Sequence, residues 1–489
     1  MTSTSTNQNG PTTVPATPKS PATRRATLAV VCVTTAMLML DIAVVNTALP
    51  SIAVDLETGV SALQWVIDAY TLALATVVLS AGSWADRRGR RRVFLVGVVW
   101  FTAASLLCAL APDIWILDIA RAAQGIGGAI LFACSLALLA DVFEEGPQRA
   151  AALAAYGATI GGAFAVGPLV GGLLTELLNW RAIFLVNIPI GLVTLALTVR
   201  WVPESRDPHP RGADLPGQLL VSTGLAALVF GLLHGNEHGW LDPTTLTAAA
   251  VAAVALVWFV LHELRTREPM LPPHLLANRA FAGAQIAAFA ISASLFAVFV
   301  YTTIYLQNVL HLSPVEAGLV YIPATVAMFV VAGATAKLDR RIPVYISLSV
   351  SLLLVAVGLV LMTTVDVAGS RYAMLPGLIL ACVGSGVFNP VMSGLVLGES
   401  TSDHSGLAAG INDAFRQTGI AVGVAGLGAL LPAQSLLPGG SPHDFVTGLH
   451  HALLVAGVIA ALGALVCVVM LRPARTPVED SREIANVDA

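Results

Sequence analysis

The chain is predicted to be an all-α polytopic membrane protein with fourteen transmembrane helices, two sets of six around an inserted two-helix hairpin. Three observations predict this. Hydrophobic residues make up 56% of its 489 residues and charged residues 11%, a balance that excludes a soluble domain. Apolar runs long enough to cross ~30 Å of hydrocarbon as helix recur along the whole chain. Basic residues gather in alternate loops between those runs.

Taken in order, residues 1–25 are rich in Ser, Thr and Pro, end at Arg24 and Arg25, and read as a disordered cytosolic tail. The run 26–50 is too long for a signal peptide and lacks a small-residue cleavage site, so it reads as an uncleaved first helix. Further spans fall at 61–81, 93–111, 113–140, 150–175 and 181–201, completing a six-helix bundle over 26–201. Two uncharged runs, 215–233 and 244–261, form the hairpin within 213–264. A second six-helix bundle over 280–472 has spans at 282–307, 314–335, 342–364, 372–397, 407–431 and 447–471. Residues 473–489 form a cytosolic C-terminal tail.

Of the 25 Lys and Arg residues, 21 lie in loops on the side of the N-terminus. Arg181 and Arg371 fall opposite, and Arg121 and Arg416 lie within helices. Both termini are therefore placed in the cytosol. Removing a hairpin would leave every other loop on its side, so the lengths of the two middle runs decide for fourteen helices over twelve.

Arg121, about two turns into the fourth span, is the most informative residue. A guanidinium at membrane depth costs several kcal/mol or more on most scales, so it needs a partner and a purpose. Gln124, Gly125 and Gly128 follow on the same helical face, small enough for other helices to approach. The simpler reading is a structural ion pair with Asp118, three residues earlier. Asp41 and Arg121 each lie nine residues from the outer end of their helices, about 13 Å deep. Asp68 sits about 10 Å below the same surface. Two carboxylates and an arginine at one level can form a site whose protonation depends on what else is bound. Asp68 also fits an outer-vestibule position.

The loop GSWADRRGRRR, residues 82–92, makes a tight basic turn around Gly89 that would suffice as a topological anchor. Asp86 goes further, because a carboxylate there can pair with the arginines or cap a neighbouring helix in one conformation only. In the fifth span Gly157, Gly161, Ala165, Pro168 and Gly172 recur every three or four residues, a face almost without side chains. Helix packing explains the glycines, and Pro168 adds a bend suited to a hinge or seal.

These segments carry a resemblance. The 82–92 loop is similar to the signature loop of the major facilitator superfamily at Gly82, Asp86, Arg87, Gly89, Arg90 and Arg91. LDIARAAQGIGGA (117–129) resembles its helix-4 motif at Arg121, Gln124, Gly125 and Gly127, and GATIGGAFAVGPLVGG (157–172) resembles the helix-5 motif of its antiporters, with Gly157, Gly161, Gly167, Pro168, Gly171 and Gly172. Ala163 stands where that pattern usually has glycine. LDIAVVNTALP (40–50), NWRAIFLVNIPIG (179–191), YLQNVLHLSPVEAGLVYIP (305–323) and GLAAGINDAFRQTG (406–419) resemble the fourteen-helix drug:proton antiporters. The resemblance implies two major-facilitator bundles, proton coupling through Asp41 and Arg121, and a latch between Asp86 and helix 13, which starts near Gly406.

The expected function is proton-driven export of amphipathic toxic compounds or antibiotics by alternating access. Alternatives are a dedicated exporter of one endogenous metabolite, a proton-coupled importer or, more distantly, a membrane-embedded enzyme or a channel. The expected partners are the lipid bilayer, a small amphipathic substrate and protons, with no nucleic acid, and the chain is expected to be a monomer. Its arginine-rich, lysine-poor usage suits a bacterial cell membrane. No cofactor is implied: GIGGAI (125–130) and GATIGG (157–162) follow no strand, and there is no Walker sequence. No metal is implied either, because His234, Glu237 and His238 lack a fourth ligand. Cys32, Cys108, Cys134, Cys382 and Cys467 lie in apolar runs and read as small core residues.

Overall fold

The computed structural model describes residues 20–143, 146–206, 212, 214–338, 342–398, 405–432 and 441–472. Lys19, Arg211, Arg340, Arg341, Arg475 and Arg482 lie outside these, as do all of the expected C-terminal tail and most of the N-terminal one.

The first six helices are α1 (Pro21–Asp55), α2 (Val60–Arg88), α3 (Arg90–Leu110), α4 (Ile114–Val142), α5 (Pro147–Leu177) and α6 (Ala182–Trp201). Then come α7 (Leu215–His238) and α8 (Pro243–Glu263). The last six are α9 (Arg279–Val309), α10 (Pro314–Leu338), α11 (Val344–Thr364), α12 (Leu375–Gly398), α13 (Ser405–Gly428) and α14 (Pro442–Met470). Among the described residues, twelve helices are long and apolar enough to cross a membrane, or thirteen with bent α5 counted as one span. Helix α13 carries Asp413 and Arg416 and is not among them, so length and composition alone do not give fourteen spans.

Helix ends follow local chemistry. Ser20 caps α1 by accepting from the Thr23 N–H (3.2 Å), with Pro21 at the first helical position. Residues 21–25, expected in the tail, are therefore helical. Asp113, Asp242, Asn278 and Ser441 cap α4, α8, α9 and α14 in the same way. Between α2 and α3 only Gly89 turns the chain, at φ +105°, a left-handed conformation that L side chains rarely adopt. Helix α5 bends by 43° between Ala163 and Val166, where Pro168 cannot donate to the carbonyl four residues back.

Neighbour relations repeat through the chain. In the first six helices, the first packs on the fifth and sixth, the second on the fourth, and the third on the fourth and sixth. The same pairings recur among α9–α14. The two sets meet along α2 with α13 and along α5 with α10. In lipid no hydrophobic force drives helices together, so close packing of small residues must do so. Gly167 and Gly171 lie directly on Ala43 and Val44 of α1, while Gly172 lies on the Pro314 carbonyl and Gly318 on the Pro168 carbonyl. The face expected from Gly161, Pro168 and Gly172 thus turns to α10, and Gly167 and Gly171 give α5 a second close contact, with α1. Gly161 only approaches Phe329, at 4.0 Å, and Gly157 has nothing close.

Helix α7 fills the seam between α2 and α13, where Leu225, Val229 and Leu233 pack with Leu72, Ala421 and Ala425. Ser80 donates to Gln218 (2.6 Å), fixing α2 to α7. Helix α8 packs chiefly on α7 and turns Val251, Val254, Val257 and Trp258 outward, an apolar face suited to lipid.

Candidate functional site

Arg121 is brought to Asp41 rather than to Asp118. Its Nη1 donates to Asp41 Oδ2 (2.6 Å) and to Gln124 Oε1 (2.5 Å), and its Nε donates to the Val66 carbonyl (2.9 Å). The guanidinium lies over the Tyr70 ring, 4.2 Å from its centre. Asp41 Oδ1 accepts from Gln124 Nε2 and from Asn187 Nδ2, each at 2.8 Å. Ser105 Oγ accepts from the same two amides, at 2.8 and 3.3 Å. Five helices, α1, α2, α3, α4 and α6, thereby close one polar knot. Arg121 is 2% exposed and Asp41 1%, a burial sustained because both are paired and hydrogen-bonded.

Sequence reasoning named Asp41, Arg121 and Gln124 but missed Asn187, Ser105 and Tyr70. Asn187 had a readable signal, an amide inside an otherwise apolar run. Ser105 had none, since isolated serines are scattered through many spans.

Asp68 is not part of this knot. It is fully buried, and neither carboxyl oxygen has a hydrogen-bond partner. Nor is it an open vestibule residue. The two carboxyl groups are thus surrounded differently: Asp68 has no donor, whereas Asp41 has three, from Arg121, Gln124 and Asn187. Asp118 Oδ1 is likewise buried without a partner.

Ile42, Val45 and Asn46 of α1, Ile67, Tyr70 and Thr71 of α2, Arg121, and Phe296, Val300 and Ile420 from the last six helices enclose a small central cavity. Its volume is about 20 Å³, room for about one water. The first and last six helices are joined around it at the end holding Pro50 and Pro314. There Gln307 donates to the Thr47 carbonyl (2.8 Å), and Glu176 accepts from the Val315 N–H (3.1 Å).

At the opposite end, Asp86 pairs with Arg90 one turn on, its Oδ1 at 3.0 Å from Nε and 2.9 Å from Nη2. Arg87 turns back to the Ser83 carbonyl (3.3 Å), and Gly82 has open space beside it. Helix α13 is described from Ser405, so most of the chain leading into the expected capping contact lies outside the described residues. Sequence reasoning missed Glu204, whose Oε1 accepts from the Arg91 N–H (3.1 Å) and whose Oε2 lies 3.5 Å from Arg92. A side chain at Gly89 would meet that carboxylate at 2.6 Å, so the turn and Glu204 fit each other.

A buried charged knot, a central cavity and two similarly paired helix sets define a membrane transporter rather than an enzyme. A family model described as Major Facilitator Superfamily matches residues 31–424, and the chain belongs to that superfamily. It is 34% identical over 400 residues to the multidrug resistance protein Stp of Mycobacterium tuberculosis, covering 81% of this chain and 74% of that one. It is 35% identical over 474 residues to the puromycin resistance protein pur8 of Streptomyces alboniger, covering 94% and 93%. Among solved structures, the human organic anion transporter MFSD10 (TETRAN) shares the fold, with TM-score 0.61 at 15% identity, covering 92% of this chain and all of that one. Transporters of this kind work without a cofactor.

Proposed function

We propose that this protein exports amphipathic toxic compounds or antibiotics across a bacterial cell membrane in exchange for protons. Its similarity to a multidrug resistance protein and a puromycin resistance protein supports the cargo class. One observation carries the proton coupling: a saturated Asp41–Arg121 pair and, on α2, Asp68, a buried carboxyl with no donor. In this reading Asp68 carries the exchanged proton, and its movement on or off a carboxyl without a donor changes the charge of the site.

In this reading all fourteen helices cross the membrane and both termini are cytosolic. Residues 26–201 and 280–472 are the bundles that rock, 213–264 is the accessory hairpin, and 1–25 and 473–489 are tails. The end joined through Thr47 and Gln307 then faces outward, so the protein is closed to the outside. A cavity sized for one water holds no drug, so cargo enters as the halves part. Gly82, Asp86, Arg87, Gly89 and Arg90 form a cytosolic latch, opened or closed by exchange of the Asp86 partner. Gly157, Gly161, Gly167, Pro168, Gly171 and Gly172 provide the bent, small-residue helix of the antiporter motif. The protein acts as a monomer.

Expression in an efflux-deficient bacterium, with resistance profiled over a compound panel, tests the cargo class. Inverted vesicles test coupling and direction: adding an exported compound should release protons from a preformed gradient. Resistance without proton movement would overturn the antiport reading, and gradient-driven loss of compound from the vesicle lumen would reverse its direction.

A further inference from the structure

Four residues above Asp68 on the same face of α2, Gln64 reaches across the boundary between the two helix sets. Its Nε2 donates to the Tyr301 hydroxyl (2.9 Å) on α9, and that hydroxyl donates to the Val424 carbonyl on α13. Gln64 is 3% exposed and Tyr301 fully buried. A side chain at Gly428 would run into both the Gln64 amide and the Tyr301 hydroxyl, so its absence makes the room that this three-helix clasp occupies. Asn236 of α7 braces the same end of α13, reaching the Gly428 carbonyl at 3.4 Å and the Leu431 carbonyl at 3.3 Å. Tyr301 itself sits between two widened π-helical turns, Ser292–Phe296 and Tyr305–Val309, which leave α9 locally adjustable.

We propose that Gln64 is the positioning residue that converts the protonation of Asp68 into opening of the outer end, by exchanging its amide between Tyr301 and the Asp68 carboxylate. This rests on the proposed role of Asp68 as a proton carrier. With Asp68 neutral, its carboxyl needs no donor and Gln64 holds Tyr301, as observed. Once the proton leaves, the carboxylate is stranded without a donor. A glutamine amide one turn away is within reach, since Gln and Asp at positions i and i+4 of a helix are side-chain neighbours. Moving the amide to Asp68 satisfies the new charge and releases Tyr301, which removes one of the bonds holding the two helix sets together at the outer end, beside those of Gln307 and Glu176.

The other groups around Asp68 do not supply this donor. Asp118 on α4 is itself acidic. Arg121 is committed to Asp41, Gln124 and Val66. The Tyr70 ring lies beneath Arg121 and its unpartnered hydroxyl is turned to Gly128 of α4, and Tyr301 is already engaged. The parts of α7 and α13 packed beside Leu72 are apolar, and His234 of α7 turns to Asp242. The direction suits antiport. Proton loss opens the protein outward with its cargo, and a proton taken up from outside restores the clasp.

The test uses full-length protein in proteoliposomes with Thr47→Cys, a buried position at the outer junction, labelled from outside by a membrane-impermeant maleimide. The same protein without that cysteine provides the background. Divided at each pH by the rate of an exposed outer-loop control, Leu241→Cys, to remove the ionisation of the thiol itself, labelling should rise at least about tenfold from acidic to alkaline pH, the size of one hydrogen bond to a charged group. Asp68→Asn should label slowly throughout. Gln64→Met, of similar shape without a donor, should lose the pH dependence, and Tyr301→Phe should label quickly at both pH values. Pairing these with proton-release measurements separates two failures. If Gln64→Met retains the full pH response while Asp68→Asn abolishes proton release, the clasp exchange is wrong and the proton site stands. If Asp68→Asn releases protons normally, the underlying assignment falls and the clasp with it.

Discussion

Replacing Arg121 by lysine keeps the positive charge and removes the fork, which makes it the sharpest test of the buried knot. The guanidinium engages three acceptors on three helices, Asp41, Gln124 and the Val66 carbonyl, while lying on the Tyr70 ring. A lysine nitrogen can remain near Asp41 but cannot also present Nε to Val66 or a flat face to Tyr70. Leaving a buried carbonyl without its donor costs about 1–3 kcal/mol. Losing a desolvated cation–π contact costs about 1–2 kcal/mol more. Together these disfavour the knotted conformation by about 2–5 kcal/mol, or roughly 30-fold to a few thousandfold in population. Substrate-induced proton release from proteoliposomes measures the consequence, and thermal unfolding in detergent reports the stability. Arg121→Lys should fold, melt lower and release protons at a small fraction of the normal rate. Transport within about twofold of normal, with only Arg121→Ala impaired through misfolding, would make Arg121 a structural residue with no part in coupling.

Asp41→Asn should insert into the membrane but lose proton-driven transport and melt lower, since leaving the buried Arg121 charge unpaired costs about 3–5 kcal/mol; thermal unfolding and inverted-vesicle transport check both effects. Asp86→Asn breaks only a partly exposed pair with Arg90, so stability should change by about 0.5 kcal/mol or less. Its effect should appear instead as altered two-sided cysteine accessibility with an unchanged drug profile, and the reverse pattern would contradict the latch. Replacing residues 244–261 with an unrelated apolar helix of equal length should preserve substrate-induced proton release, because α8 packs chiefly on α7. Changing Gln218 and Asn236 of α7 to leucine should instead reduce that release, because these side chains hold α2 and α13.

The sequence by itself determined what runs along the membrane normal. Long apolar stretches set where helices lie, and counting from Pro50 and from Pro112 placed Asp41 and Arg121 at one depth, where they meet at 2.6 Å. Gly89 within a run of arginines marked the tight turn that the backbone makes at φ +105°. Rotation about each helix axis was not legible, because helices apolar on all sides carry no pattern that selects a facing neighbour. Only the tertiary structure decided that Arg121 turns to Asp41 and away from Asp118, that Asn187 and Ser105 complete the knot, and that Asp68 stands outside it without a donor. The same gap concealed Glu204, which reaches Arg91 only because α6 returns beside the turn after α2. It also concealed the place of α7, which fills the groove between α2 and α13. Depth follows from the hydrophobic cost of each residue in turn; lateral neighbours follow from which small and polar side chains interlock across helices far apart in the chain, and that is fixed only when all of them pack together.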